Sequence, residues 1–181
     1  MRIGLLCADN VDSSVGDRLR EGLGTIFQDG ECTLLGETLV IPEGALDEAR
    51  AQYRSDVILG SVEEQVSRQT ELERILGVVD VDIFVPPLSF VFGEARCPGS
   101  AALISLFRLR PEFYRQRPDV EVFLERAEKE AVHEIGHTLG LKHCSNPFCV
   151  MHFSNSIFDT DRKQSLFCSR CQRKIESLGA P

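Results

Sequence analysis

In the first part of the chain, the pattern of apolar and polar residues predicts a strand, a helix and a second strand, in that order. The apolar run IGLLCA predicts a buried strand, and the amphipathic stretch DSSVGDRLREGLGTIFQ predicts a helix that Ser13 or Ser14 can cap. The run ECTLLGETLVIP then predicts a second strand, interrupted by Gly36 and closed by Pro42. This order is typical of an α/β fold.

The next segment predicts a further helix followed by a further strand. A second helix is predicted to start near Ser55, with Glu and Arg residues on its exposed face. The run LGVVDVDIFV, residues 76–85, is rich in Val and Ile and predicts a third strand, which the Pro86-Pro87 pair stops.

The runs LSFVFGEA, residues 88–95, and AALISLFRL, residues 101–109, are separated by only five residues. Since this loop is too short for a crossover helix, the two strands are predicted to run antiparallel. A long helix is predicted from Pro118 or Asp119 to Gly140, and a short closing helix from Arg170 to Leu178. We expect a single domain over residues 1–181, in which residues 1–140 form the sheet-and-helix part and residues 141–181 an irregular part.

Composition and charge narrow the classes of function. The 181 residues are 43% hydrophobic and 27% charged, and no apolar run reaches the roughly 20 residues of a membrane helix. A formal net charge of −8 argues against nucleic-acid binding, which usually requires a basic surface. The apolar run at the N-terminus is too short for a secretory signal, so we expect a cytoplasmic protein without membrane partners.

The stretch HEIGHTLGLKH carries the first candidate site. His133 and His137 are four residues apart on the predicted helix, so their side chains point the same way and can bind one zinc ion. Glu134 lies near enough to contact a water on that metal without being a ligand. Gly140 can end the helix with a positive φ and turn the chain so that His143 becomes the third ligand. Three protein ligands leave one open position, which is typical of catalytic zinc.

Three of the four histidines in the chain fall within this window of eleven residues. A lone histidine is more often a surface or core side chain than a ligand. The three together with Glu134 on one predicted helix favour a metal site over that interpretation.

Four of the seven cysteines form the second candidate site. Cys144 and Cys149 follow the spacing C-x-x-x-x-C, and Cys168 and Cys171 follow C-x-x-C. Four thiolates fit a tetrahedral structural zinc that stabilises the irregular tail. The alternative is two disulfides or free thiols. Because His143 and Cys144 are neighbours whose side chains can face opposite sides, we predict two zinc ions per chain, one catalytic and one structural.

These motifs together resemble one protein family. HEIGHTLGLKH matches the long zinc-binding signature of the metzincin metallopeptidases. The four cysteines and Met151, which falls in the pattern C-x-x-x-x-C-x-M, resemble the archaemetzincin subgroup. The resemblance covers residues 133–171. It implies a metzincin-like α/β fold with a mixed twisted sheet, one antiparallel edge strand, an active-site helix and Met151 in a tight turn under the zinc.

The resemblance also implies hydrolysis of peptide bonds by a zinc-activated water, with Glu134 as general base and then acid. Residues 88–95 would be the edge strand that pairs with an extended peptide or protein substrate. Phe153 stands where some metzincins carry a tyrosine that stabilises the transition state. We expect a monomer. The alternative function is a zinc-stabilised module that binds peptides and cleaves them little or not at all.

Four further residues have simpler interpretations. Cys97 follows the predicted edge strand and is interpreted as a loop thiol, with a position near the cleft as the alternative. His152 is interpreted as a surface histidine or one that supports a ligand. Asp159 and Asp161 are interpreted as part of a solvated turn and not as a cation site.

Overall fold

The main sheet has four parallel strands and one antiparallel edge strand. The computed structural model describes residues 1–27, 31–69 and 71–178. In chain order, the strands of this sheet are β1 (Arg2–Cys7), β2 (Glu31–Leu34), β5 (Arg74–Val79), β7 (Gly93–Ala95) and β8 (Ala101–Ser105). Their order across the sheet is β2-β1-β5-β8-β7, and only β7 runs antiparallel to its neighbour. The α/β class and the mixed sheet with an antiparallel edge strand are therefore confirmed.

A second, smaller sheet lies beside the first. It contains β3 (Leu46–Asp47), β4 (Gln52–Arg54) and β6 (Ile83–Phe84), in the order β3-β4-β6. The prediction of one continuous third strand over residues 76–85 was wrong, because β5 ends at Val79 and β6 belongs to this second sheet. The residues between them form ion pairs: Asp80 with Arg110 and Asp82 with Arg108, each at 2.6 Å.

Three predicted strands are also shorter than expected. β2 ends at Leu34, two residues before Gly36, and the predicted strand up to Pro42 was too long. β7 contains only Gly93–Ala95 of the predicted residues 88–95. β8 ends at Ser105, and 3-10 turns follow at Phe107–Leu109 and Pro111–Tyr114; a further one lies at Glu43–Ala45.

Five helices lie in the described part of the chain: α1 (Ser13–Ile26), α2 (Ser55–Arg68), α3 (Val120–Thr138), α4 (Ile157–Arg162) and α5 (Ser169–Ser177). The predicted positions of all but α4 were correct within one or two residues, except that the end of α2 had been left open. The cap of α1 was misassigned, because the carboxylate of Asp12, and not Ser13 or Ser14, accepts the N–H of Ser14. α4 was missed, since its six residues are too few for a recognisable apolar period.

The hydrophobic core has two layers, one on each face of the main sheet. One layer packs α1 and α3 against the sheet and includes Leu5, Leu19 and Ile135. The other packs α2 against the opposite face and includes Ile58 and Leu103. Among the described helices, none is long and apolar enough to cross a membrane. α3 packs against β8 and β7, and this packing brings Glu134 near the C-terminal end of α3 beside the edge strand.

Candidate metal centre and substrate cleft

Helix α3 and the turn after it bring three histidines together. His133 and His137 are one helical turn apart on α3. Gly140 adopts a φ of +88°, and its N–H donates to the carbonyl of His137, so the helix ends there. A residue with a Cβ rarely adopts this conformation, which explains the glycine. The chain then folds back and places the ring of His143 against the other two.

The hydrogen bonds of the imidazoles fix which nitrogen carries the proton. Nδ1 of His133 lies 2.7 Å from the carbonyl oxygen of Val150, and Nδ1 of His137 lies 2.7 Å from that of Leu141. A carbonyl oxygen can only accept, so Nδ1 is the donor in both rings. In the neutral imidazole, Nε2 then carries a lone pair. Nε2 of His137 lies 3.1 Å from Nε2 of His133 and 3.2 Å from Nε2 of His143.

These separations fit a zinc ion. Lone pairs that face each other at such distances repel unless a cation lies between them. Two nitrogens at tetrahedral positions around zinc are about 3.3 Å apart, given a Zn–N distance of about 2.05 Å. The triad therefore matches a tetrahedral N₃ site with its fourth position left for another ligand.

Desolvation, which is strongest at the buried His133, keeps the imidazoles neutral and so able to bind a metal. Burial, followed by the nearby ammonium of Lys163, lowers the pKa of His133 well below its ordinary value. Burial also lowers the pKa of His137. The ring of His143 is exposed, and partial desolvation, followed by the proximity of His137, lowers its pKa to about 4. Protons consequently compete weakly with a metal at neutral pH.

Glu134 lies beside the triad in a tightly packed position. It is 5% exposed, and burial raises its pKa well above the usual value, as does the carboxylate of Glu130 one turn earlier. Gly93 of β7 faces it: a Cβ on Gly93 would lie 2.6 Å from Cγ of Glu134 and 2.7 Å from its Oε1. The edge strand can approach Glu134 this closely only because residue 93 has no side chain.

Met151 lies behind the triad. It is fully buried, and a Cβ on Gly136 of α3 would lie 2.5 Å from its sulfur. Its carbonyl accepts the N–H of Cys144, which closes a turn between the two segments. The structure thus brings Met151 under the helix that carries His133 and His137.

The four cysteines of the tail also converge. Their sulfurs all lie within 4.8 Å of one another, and Sγ of Cys144 is 3.8 Å from Sγ of Cys168. Two thiolates on a tetrahedral zinc are about 3.8 Å apart, given a Zn–S distance of about 2.3 Å, so the set fits that ion. The separation is far longer than a disulfide bond, and all seven cysteines are unbridged.

Two donors support the sulfurs. The backbone N–H of Cys168 donates to Sγ of Cys149, and the guanidinium of Arg170 donates to Sγ of Cys144, each over 3.3 Å. Against the effect of burial, hydrogen bonds from the Cys171 N–H and from neighbouring thiols lower the pKa of Cys168 to about 6, whereas burial raises the pKa values of Cys149 and Cys171. Donors of this kind stabilise thiolates, which are the form that binds zinc.

The two clusters share backbone segments. Val150, whose carbonyl orients His133, is flanked by Cys149 and Met151. His143 is followed directly by Cys144, whose carbonyl lies 2.9 Å from Nδ1 of His152. His152 therefore supports the connection between the clusters and is not a member of either one, in agreement with its interpretation from sequence.

A cleft of about 520 Å³ opens in front of the histidine triad. Leu88, residues 90–92 and the strand β7 form one wall, and Phe153 lies at the other, with its ring 4.8 Å from that of His143. Cys97 belongs to the lining, and its thiol faces the carbonyl of Leu141 at 3.5 Å. Its interpretation as a plain loop thiol was therefore wrong, and the alternative position near the cleft is the correct one.

Comparison with known proteins identifies the family. The model of the family described as "Peptidase family M54" matches residues 11–177. The archaemetzincin of Methanocaldococcus jannaschii is 44% identical over 179 residues, which cover 99% of this chain and 95% of that one. The chain belongs to peptidase family M54. As a member of this family and a relative of archaemetzincins, it is a zinc-dependent metallopeptidase, a hydrolase of peptide bonds.

Solved structures of M54 peptidases share the fold. The crystal structure of archaemetzincin from Methanopyrus kandleri has a TM-score of 0.87 at 35% identity and covers 100% of this chain and 96% of that one. The archaemetzincin of Archaeoglobus fulgidus, complexed with malonate, has a TM-score of 0.80 at 40% identity and covers 96% and 99%. The expected metzincin-like fold and the resemblance to archaemetzincins are confirmed.

Two acids of this M54 peptidase have roles that differ from the prediction of a solvated turn. Asp159 accepts hydrogen bonds from the N–H and hydroxyl of Ser156 and caps α4. Asp161 forms a bidentate ion pair with Arg126, a side chain that is only 3% exposed. Both side chains fix α4 in place, so this interpretation was wrong, because α4 itself had been missed.

Several residues that support the M54 site are not identified by the zinc-binding motif. Gly93 carries a signal, since glycine inside a strand often marks a close approach. Glu130 lies one helical turn before Glu134, so helical spacing could have placed it beside the site. The carbonyls of Leu141 and Val150 carry no signal, because every residue has a carbonyl.

Proposed function

We propose that this M54 peptidase cleaves peptide bonds at a zinc ion that His133, His137 and His143 hold, with Glu134 as the proton carrier. The convergence of the three imidazoles carries the proposal: Nε2 of His137 lies 3.1 Å from Nε2 of His133 and 3.2 Å from Nε2 of His143. Because no single helix can supply all three, the turn at Gly140 is part of the site.

When bound, zinc supplies Lewis acidity: it makes a water easier to deprotonate and polarises the scissile carbonyl. The raised pKa of Glu134 suits a group that must both take up and release a proton. Its carboxylate takes the proton from the attacking water and passes it to the amine nitrogen that leaves. The close approach of Gly93 holds this carboxylate in place. The carbonyls of Val150 and Leu141 hold the rings of His133 and His137.

The substrate is proposed to lie along β7. This strand is the edge of the main sheet, so the outward N–H and C=O groups of Gly93–Ala95 can pair with an extended peptide. Glu134 faces the same strand, which would bring the scissile bond close to it. We also propose that the chain acts as a monomer in the cytoplasm, where its thiols remain reduced, without membrane or nucleic-acid partners.

The reaction is tested with the variant Glu134→Gln. The control is Glu121→Gln, at an exposed residue of the same helix. The proposal is supported if the zinc-loaded wild type and the control cleave peptides and if cleavage falls by about 10²-fold or more in Glu134→Gln. Metal content is measured in all three proteins. If wild type and Glu134→Gln are equally inert while both retain peptides, the chain is a peptide-binding module.

A second zinc is proposed at Cys144, Cys149, Cys168 and Cys171, where it would stabilise the tail. The 3.8 Å separation between the Cys144 and Cys168 sulfurs supports this assignment. Metal analysis of protein purified without chelator should give two zinc ions per chain, and about one in Cys171→Ser. A ratio of one in the wild type would contradict the assignment.

A further inference from the structure

The floor of the cleft carries a buried carboxylate besides that of Glu134. Glu130 lies on α3 four residues before Glu134, is 2% exposed and belongs to the cleft lining. Its position within the lining places it where a substrate side chain can reach it. A buried carboxylate is costly unless its charge and its oxygens are compensated, so its surroundings indicate what it is for.

Within the described part of the chain, the hydrogen bond that Glu130 accepts is to its Oε1. The hydroxyl of Thr160 donates to Oε1 over 2.9 Å, and Nζ of Lys163 lies 3.0 Å from the same oxygen. The side chain of Lys163 is fully buried, so the pair is shielded from solvent and fixed from behind. Among the residues that the structure describes, none donates a hydrogen bond to Oε2 of Glu130.

Ser154 provides a second polar group in the same lining. Its Oγ is buried and makes no hydrogen bond within the described part of the chain. A buried polar atom that lacks a partner is uncommon and costs free energy. Oε2 of Glu130 and the Ser154 hydroxyl thus lie in the lining of one cleft, the first as an acceptor and the second as a donor or acceptor, and a polar ligand can bind to both.

The rest of the cleft differs from this floor. The wall before the edge strand is apolar, with Val85, Leu88, Phe90 and Phe92 in the lining. An aliphatic side chain would gain contacts there, whereas at Glu130 it would bury an acceptor without a partner. The lining thus separates into an apolar wall and a polar floor.

We propose that Glu130 and Ser154 form a subsite that selects a substrate side chain with a hydrogen-bond donor, beside the scissile bond. An amide, as in glutamine, or an ammonium, as in lysine, would donate to Oε2 of Glu130, and an amide oxygen would accept from Ser154. A substrate carboxylate would meet the carboxylates of Glu130 and Glu134 and be excluded. This inference rests on the proposed peptidase reaction and adds the class of side chain that it accepts.

The experiment uses the full zinc-loaded protein and peptides that differ at one residue next to the scissile bond. Glutamine, lysine, glutamate and methionine are compared on each side of that bond, and methionine serves as the donor-free counterpart of glutamine. For wild type we expect kcat/KM to be at least about tenfold higher with glutamine or lysine than with methionine at one position, equivalent to about 1.4 kcal/mol. Glutamate there should be the poorest substrate.

Two variants test the residues themselves. Glu130→Met combined with Lys163→Met removes both charges together, since removal of one alone would leave the other buried and unpaired. This pair should abolish or reverse the preference for glutamine over methionine, and Ser154→Ala should reduce it for glutamine more than for lysine. The matched control, Arg18→Met with Glu128→Met, removes an ion pair between α1 and α3 that is not part of the cleft lining, and should retain the preference.

Binding measurements distinguish a failure of the proposed subsite from a failure of the proposed reaction. Dissociation constants of the same peptides are measured with Glu134→Gln by fluorescence anisotropy. If Glu134→Gln binds with the expected preference but wild type cleaves nothing, the subsite stands and the proposed reaction fails. A wild type that cleaves methionine peptides as well as glutamine peptides at both positions overturns the subsite and leaves the reaction intact. If the paired variant does not fold, the glutamine-to-methionine comparison in wild type and in Ser154→Ala decides.

Discussion

Gly93→Ala is expected to disable the site without touching a metal ligand. The added Cβ would lie 2.6 Å from Cγ of Glu134 and 2.7 Å from the backbone oxygen of Leu103. The second contact is with a neighbouring strand of the sheet, which cannot move aside as a flexible side chain can. Glu134 must therefore be displaced, or β7 must separate from β8.

The size of the effect follows from these distances. The Cβ and Cγ atoms must move apart by about 0.8 Å to regain an ordinary van der Waals separation. A misplacement of about 1 Å at a catalytic group can cost about 100-fold in rate. We expect kcat/KM to fall by about that factor, and the free energy of unfolding to fall by about 2 kcal/mol, as for other overpacked positions.

The assay is cleavage of a quenched fluorescent peptide, together with metal analysis and thermal unfolding. Gly60→Ala is the control, because a Cβ at that position of α2 meets no atom within 4 Å. It should leave the activity unchanged and raise stability by about 1 kcal/mol, as alanine does in a helix. A folded Gly93→Ala protein with full metal content and wild-type kcat/KM would refute the argument that this glycine sets the position of Glu134.

Three further outcomes are expected. Cys149→Ser should lose one zinc ion per chain and lower the zinc affinity of the histidine site about tenfold, since the carbonyl that orients His133 belongs to the next residue. Chelator competition measures both effects, and Cys32→Ser is the control. Without metal, the free energy of unfolding should fall as the pH drops from 6.5 through about 4, because the pKa of His143 is lowered in the folded state; urea titrations at several pH values would show it. A flat profile would contradict this. Arg126→Met should destabilise the protein by about 2 kcal/mol in thermal unfolding, since it removes the ion pair of a buried guanidinium with the exposed Asp161 and a hydrogen bond to the carbonyl of Leu109.

Local sequence was informative where a pattern is long or chemically unusual. The 19 residues of α3 have a clear helical period, and a helical period fixes the relative directions of His133 and His137. The spacing of the cysteines likewise anticipated that their sulfurs converge. For the histidines on α3 the information lies within one helical turn. For the cysteines it lies in the two short spacings and in the chemistry of thiolates, whereas the fold brings the two pairs together across α4.

The features that were predicted wrongly or missed depend on contacts between residues far apart in the chain. Residues 76–85 look continuous because Val and Ile suit any strand, whereas Asp80 and Asp82 turn toward arginines more than 25 residues later and the chain changes sheet. Lys163 lies in a tail with no visible period, so its contact with Glu130 could not be anticipated. The length of β7 was overestimated, because its register with β8 covers only Gly93–Ala95 and most of the apolar residues before it line a cleft.

The rings of His133 and His137 are oriented by main-chain oxygens, at Val150 and Leu141, and not by side chains. No point mutation can delete a main-chain oxygen, so substitutions at these two positions alter packing but leave the acceptors present. Natural variants can therefore diverge at residues 141 and 150 and still keep both rings in the same tautomer. Drift in the sequence around the site should be tolerated more readily than insertions or deletions, which would shift the register of these oxygens.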